Sequence, residues 1–164
     1  MNVQHDRYLL ALSRIDAANA EDPNIELVDG VRRPRELVYA ERMSEWLERL
    51  RPDASELLRL AVRAQHIRRW EIPRQNYPMD RAGYKRWRTD LAKFHAETAG
   101  AILRACGYDE AEVARVQSLL RKERLKLDPD AQTLEDVACL VFLRYYFEPF
   151  AERYGPQQID AAVH

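Results

Sequence analysis

Apolar residues recur along this chain at the three-to-four-residue spacing of amphipathic helices, with Pro, Gly, Asp and Asn marking the breaks. From about Val3 to Ala20, the residues Leu9, Leu12, Ile15 and Ala18 fall close to a helical period. Asp22-Pro23-Asn24 breaks that pattern, and Asp29-Gly30 marks a turn. Pro34 suits the first turn of a second helix, running to about Leu50. Pro52-Asp53, with Glu56 three residues on, reads as the cap of a third helix that ends near Arg68. Pro73 and Pro78 define a loop. Asp80 caps a long fourth helix ending near Cys106, with Gly107 as its stop. Asp109 with Glu112 repeats the capping pattern for a fifth helix, to about Lys126. Asp128-Pro129-Asp130 reads as a linker. Thr133 opens a sixth helix through Leu134, Val137, Leu140, Val141 and Tyr145, which Gly155-Pro156 ends. No stretch alternates convincingly as a strand, and no repeat is present. The pattern predicts an all-α fold, one compact bundle of five to seven helices over residues 1–164.

The bulk properties narrow the function classes. A chain of 164 residues is one domain, long enough to bury about two thirds of its unfolded surface. The formal net charge of −1 advertises neither a nucleic-acid nor a membrane partner. Cys106 and Cys139 both lie in apolar helical contexts and read as small buried thiols of a cytoplasmic protein. No run of about 18 apolar residues and no secretory signal pattern appears, so no membrane contact is expected.

Charge is distributed less evenly than its total. Residues 63–93 hold nine Lys/Arg against three Asp/Glu, whereas residues 1–62 hold nine against twelve. The basic stretch joins His66 to His95, the two internal members of a set of four histidines. A second cluster, Arg121-Lys122-Glu123-Arg124-Leu125-Lys126, closes the fifth helix. Such clusters are either solvated faces favoured at a helix C-terminus or sites where guanidinium forks hold phosphate oxygens. Trp46, Trp70 and Trp87 are large enough for the core, with Trp70 or Trp87 able instead to stack on a base.

Two stretches carry a resemblance. Gln65-His66-Ile67-Arg68-Arg69-Trp70-Glu71-Ile72-Pro73 and His95 with Gly100-Ala101-Ile102-Leu103 resemble the HD-domain superfamily of helical metal-dependent phosphohydrolases, above all its HD-GYP branch. Tyr39-Ala40-Glu41-Arg42-Met43 resembles the helix that supplies that superfamily's first histidine, and Leu134-Glu135-Asp136-Val137 the helix of its last aspartate. The likeness covers about residues 36–145. It departs where Tyr39 replaces the first histidine, Gln65-His66 replaces the His-Asp doublet, and Arg121-Lys122 replaces a pair of histidines. The whole chain also resembles the family known as domain-of-unknown-function family 4202, through Arg42–Leu47, His66–Arg74, Tyr77–Arg81 and Glu135–Leu140.

What the HD resemblance implies is a site, not a substrate. His66, His95 and Asp136, with Glu41 as a compensating carboxylate, would hold one divalent ion; such mixed ligation suits Mn, Fe, Zn or Ni. The ion would activate water for hydrolysis of a small phosphorylated compound such as a nucleotide. Gln65, Arg69, Arg121 and Lys122 would then bind the phosphate and offset developing charge. The alternative is an HD-like module without catalysis that binds an anionic ligand or RNA through its Arg-rich segment. Each candidate also has a structural reading: His66 and His95 as hydrogen-bonded core histidines, Asp136 as a first-turn acid of the sixth helix.

Overall fold

Seven α-helices and one β-hairpin make up residues 2–154, the part of the computed structural model that is described here. Helix α1 (Val3–Ala20) starts where the Asn2 side chain accepts a hydrogen bond from Gln4 N. Strands β1 (Ile25–Val28) and β2 (Val31–Pro34) follow, antiparallel, with Val28 opposite Val31 and Ile25 opposite Pro34. This hairpin corrects the all-α expectation. Its cause is local: Asp29 and Gly30 both take positive φ, 51° and 80°, the backbone of a two-residue turn whose twist matches paired strands.

Helix α2 (Arg35–Leu50) has no side-chain cap from Pro34. Buried Asp22 takes that role from afar, accepting from the backbone N–H of Glu36 at 2.9 Å and of Asn24 at 2.9 Å. Helix α3 (Glu56–Arg63) is capped by Ser55, which accepts from Leu58 N at 3.2 Å. Leu58, Leu60, Ala61 and Val62 are all fully buried, so α3 is the central rod against which α1, α2, α5 and α6 pack. It ends at Arg63 rather than near Arg68. The polar groups beyond it are taken by other elements: Ile67 O by His95, and Arg68 N by the buried side chain of Asn19 at the end of α1. Arg68 is left-handed, with φ 53°. Short 3-10 turns at Arg69–Glu71 and Arg74–Asn76 carry the chain onward.

Asp80 accepts from Gly83 N at 2.7 Å and starts α4 (Arg81–Ala105). Helix α5 (Glu110–Leu120) opens with the Asp109/Glu112 capping box complete in both directions; removing such a cap costs about 1 kcal/mol. The α4–α5 contact depends on Gly100, because a Cβ there would stand 2.3 Å from Nε2 of Gln117. That amide donates to Ala96 O at 3.1 Å.

Helix α6 (Pro129–Val141) begins earlier than Thr133. Asp128 is its N-cap and Pro129 sits in its first turn, so what reads as a linker is a helix start. A π turn over Phe142–Tyr146 leads into α7 (Phe147–Tyr154). The stop expected at Gly155-Pro156 lies outside the described residues. One cluster of buried side chains runs through α1 to α6. Cys106 belongs to it, but Cys139 is exposed on α6, contrary to the buried pair expected. No helix among the described residues is long and apolar enough to cross a membrane.

Candidate functional site

The turns after α3 and the middle of α4 meet at a narrow cleft. Gln65, His66, Arg69, Arg88, Leu91, Ala92, His95, Leu120 and Lys122 line it, and it encloses about 30 Å³. A cavity that size has room for roughly one or two waters. His95 reaches it from the buried face of α4, and its Nδ1 lies 2.8 Å from the carbonyl oxygen of Ile67. The His66 ring stacks on Tyr39 of α2, with centroids 3.9 Å apart and planes 7° apart. The two imidazole centroids are 6.1 Å apart. No hydrogen bond reaches Nε2 of either ring among the described residues.

Behind His66 stands a residue that the sequence reading missed. Glu36 is buried in the first turn of α2, and its Oε2 lies 3.4 Å from Nδ1 of His66 without a hydrogen-bond partner. Burial pushes the Glu36 carboxyl above its ordinary range, opposed by Arg69, Arg35 and His95. Burial also pushes His66 well below the usual imidazole value, reinforced by Arg69, Arg88, Lys122 and Arg35. Burial thus disfavours the charged form on both sides of this contact. His95 is pushed down to about 3, first by burial, then by His66 and Arg69. A signal for Glu36 exists in the sequence: it continues the buried arc of Tyr39, Ala40, Met43 and Leu47 one turn upstream.

Arg69 stands out electrostatically. Arg7, Arg42, Arg63 and Arg115 each meet a carboxylate within 3.1 Å. Arg69 has no ion pair or side-chain hydrogen bond among the described residues; its guanidinium lies 5.0 Å from the centre of the Trp87 ring. Burial lowers its pKa; Glu36 and then Tyr39 oppose that, while Arg88 and Arg35 lower it further. Trp87 is itself buried and donates through Nε1 to Ile72 O at 2.8 Å, fixing the platform under Arg69. Lys122 completes the cleft from the loop after α5. Its backbone is left-handed, φ 60°, a conformation that costs about 1–2 kcal/mol for a residue with a Cβ. Its Nζ lies 2.9 Å from Glu135.

The structure thus brings together Gln65, His66, Arg69, His95 and Lys122. It does not bring in the rest. Asp136 is exposed on α6 and accepts from Gln132 Nε2 at 2.9 Å, while its neighbour Glu135 is the carboxylate that meets Lys122. That start also places Asp136 in mid-helix, not in the first turn. Glu41 is held by both guanidinium nitrogens of Arg33, at 2.7 and 2.8 Å. Arg121 is exposed, 3.9 Å from Glu123.

The ligand set implied for a divalent ion does not fit what is present. Among the described residues no group of three or more His, Cys, Asp or Glu side chains is arranged to hold an ion. Two neutral imidazoles remain, and the surrounding cations oppose a further positive charge.

The family model described as domain of unknown function (DUF4202) matches residues 10–163. The chain belongs to this family. No curated protein and no solved structure matches it. The DUF4202 description names no activity.

Proposed function

We propose that the His66–His95 cleft binds a small phosphorylated anion, held by Arg69, Arg88 and Lys122 without a metal ion. Arg69 is the observation that carries this reading. A guanidinium largely removed from water with no ion pair is costly; the Glu36 carboxyl near it is pushed by burial toward its neutral form, and the other half-buried arginines named above each meet a carboxylate directly. An anionic ligand supplies the missing partner through charge-assisted, two-point hydrogen bonds. The cleft's volume leaves room for no more than part of a compact head such as a phosphoryl group, so the lining must open around it and the remainder of the compound stays outside. Arg88 is exposed and Lys122 only half-buried, so both can adjust around it.

Titrating chelator-treated protein with inorganic phosphate and pyrophosphate at low salt tests this by calorimetry. Binding should weaken as salt rises. Arg69→Gln should lower the affinity about 10–100-fold, the worth of one or two charge-assisted bonds. Arg86→Gln, on the exposed side of α4, should leave it unchanged. Equal affinity for the wild type and Arg69→Gln would remove the basis of the proposal.

Hydrolysis of a phosphorylated compound is a second reading, on a frame of HD-like order. What favours it is that His66 and His95 share one cleft and that Glu36 backs His66, the arrangement of a general base with a carboxyl partner. Phosphate release from a panel of phosphomonoesters, abolished in His66→Gln, would support it. No release with or without added divalent metal would leave the binding reading alone.

A further inference from the structure

The cleft holds more than positive charge. His95 donates from Nδ1 to the Ile67 carbonyl oxygen at 2.8 Å. A carbonyl oxygen only accepts, so the hydrogen of the neutral ring is on Nδ1 and Nε2 carries a lone pair. His95 is buried, lines the cleft, and has no hydrogen bond at Nε2 among the described residues. The bond to Ile67 ties the ring to the main chain, so it cannot flip to present a donor without losing that partner. A ligand in this cleft therefore meets donors from Arg69, Arg88 and Lys122 and a fixed acceptor from His95. An anion that carries only lone pairs satisfies the donors but sets an oxygen against Nε2. An anion that keeps one acidic hydrogen satisfies both.

We infer that His95 makes this a site for a protonated oxyanion, a hydrogen phosphate or a phosphomonoester monoanion, and that it discriminates against sulfate. His95 is a specificity-determining residue, its Nε2 accepting the P–O–H hydrogen while the cations hold the other oxygens. This rests on the anion-binding reading above. It adds a requirement that charge alone does not impose, since sulfate and phosphate match in size and geometry. Near neutral pH phosphate retains a hydrogen and sulfate has none.

The test uses the whole chain, treated with chelator, and four tetrahedral anions at equal ionic strength: phosphate, arsenate, sulfate and selenate. Phosphate and arsenate should bind at least about tenfold more tightly than sulfate and selenate, the cost of leaving one buried acceptor opposed rather than satisfied. Equal binding of all four, within about threefold, would overturn the inference while leaving the anion site in place. Binding of none would overturn the anion site itself. In His95→Phe, which keeps a ring of similar shape, the phosphate preference should collapse toward the sulfate level. A preference retained in a folded His95→Phe protein would also overturn the inference. The anion series needs no variant, so the test stands even if His95→Phe fails to fold.

Discussion

Arg63 and Arg69 lie a short distance apart on either side of the end of α3, and their surroundings are opposite. Arg63 points back to α1, where Asp16 takes Nε at 2.7 Å and Nη2 at 2.8 Å. Its charge is matched, and the pair ties α3 to α1. Arg69 lies over Trp87, repelled by Arg88 and Arg35, beside two imidazoles that burial holds below their usual range and the Glu36 carboxyl, which burial pushes up. Its charge is in excess. One guanidinium is used to hold helices together, whereas the other is held in place and left without a partner. The contrast separates an arginine that ties two helices together from one that has no ion pair among the described residues.

The largest expected effect tests the excess charge through pH. His95 has its folded-state pKa at about 3, against an unfolded value near 6.5. Between those values the unfolded chain binds a proton that the folded chain refuses, so stability falls as pH drops from 6.5 toward 3. At roughly 1.4 kcal/mol per unit, the loss is on the order of a few kcal/mol, and His66 works in the same direction. Glu36 opposes it: its raised pKa makes the folded state keep a proton above pH 4.5, so its own contribution falls as pH rises through that window. Urea unfolding across the range should show the fall toward acid, and His95→Phe should flatten it. A wild-type curve flat from pH 6.5 to 4 would contradict the charge-excess description.

Next comes the direct comparison. Arg63→Gln leaves half-buried Asp16 without its cation and should cost about 1–3 kcal/mol in denaturant unfolding. Arg69→Gln should cost clearly less than Arg63→Gln, because repulsion from Arg88 and Arg35 partly offsets the attraction of Glu36. Equal losses in the two variants would mean that Arg69 is structural after all.

Lys122→Ala should have a smaller effect on binding. Its ammonium is shared with Glu135, so phosphate affinity should drop by about three- to tenfold, with stability changed by less than about 1 kcal/mol. Smallest of all is Asp136→Asn. Exposed and bonded only to Gln132, it should leave both phosphate binding and stability unchanged within about 0.5 kcal/mol. A clear binding defect in that variant would bring α6 back into the site.

Much of the helical frame can be read directly because helix starts are local events. Asp80, and Asp109 with Glu112, sit within a turn of the N–H groups they satisfy, so the residues themselves announce the boundary. The hairpin is legible only at its turn, Asp29-Gly30; the four-residue strands Ile25–Val28 and Val31–Pro34 are too short to show an alternation. Helix ends are another matter. The apolar pattern of α3 runs on through Ile67, yet the helix stops at Arg63 because Asn19 and His95 take the next backbone groups from other helices. The site is less legible still. The HD resemblance singles out Asp136 by its place in Leu134-Glu135-Asp136-Val137, when its neighbour Glu135 is the carboxylate that meets Lys122.

Spacing, caps and charge runs, all short-range, were enough to establish that this chain is mostly helical and that a basic stretch joins two internal histidines; the HD resemblance groups Gln65, His66, Arg69, His95 and Lys122, but with Glu41, Arg121 and Asp136 as well. Which residues have partners was decided only when the helices packed. Arg33 claims Glu41, Asp16 claims Arg63 and Ile67 claims Nδ1 of His95, each across a distance in the chain that no local pattern encodes. The cleft's character comes from what that pairing leaves over: a guanidinium without a carboxylate and an imidazole nitrogen without a donor. Both are properties of burial and neighbours, and no residue carries them by type.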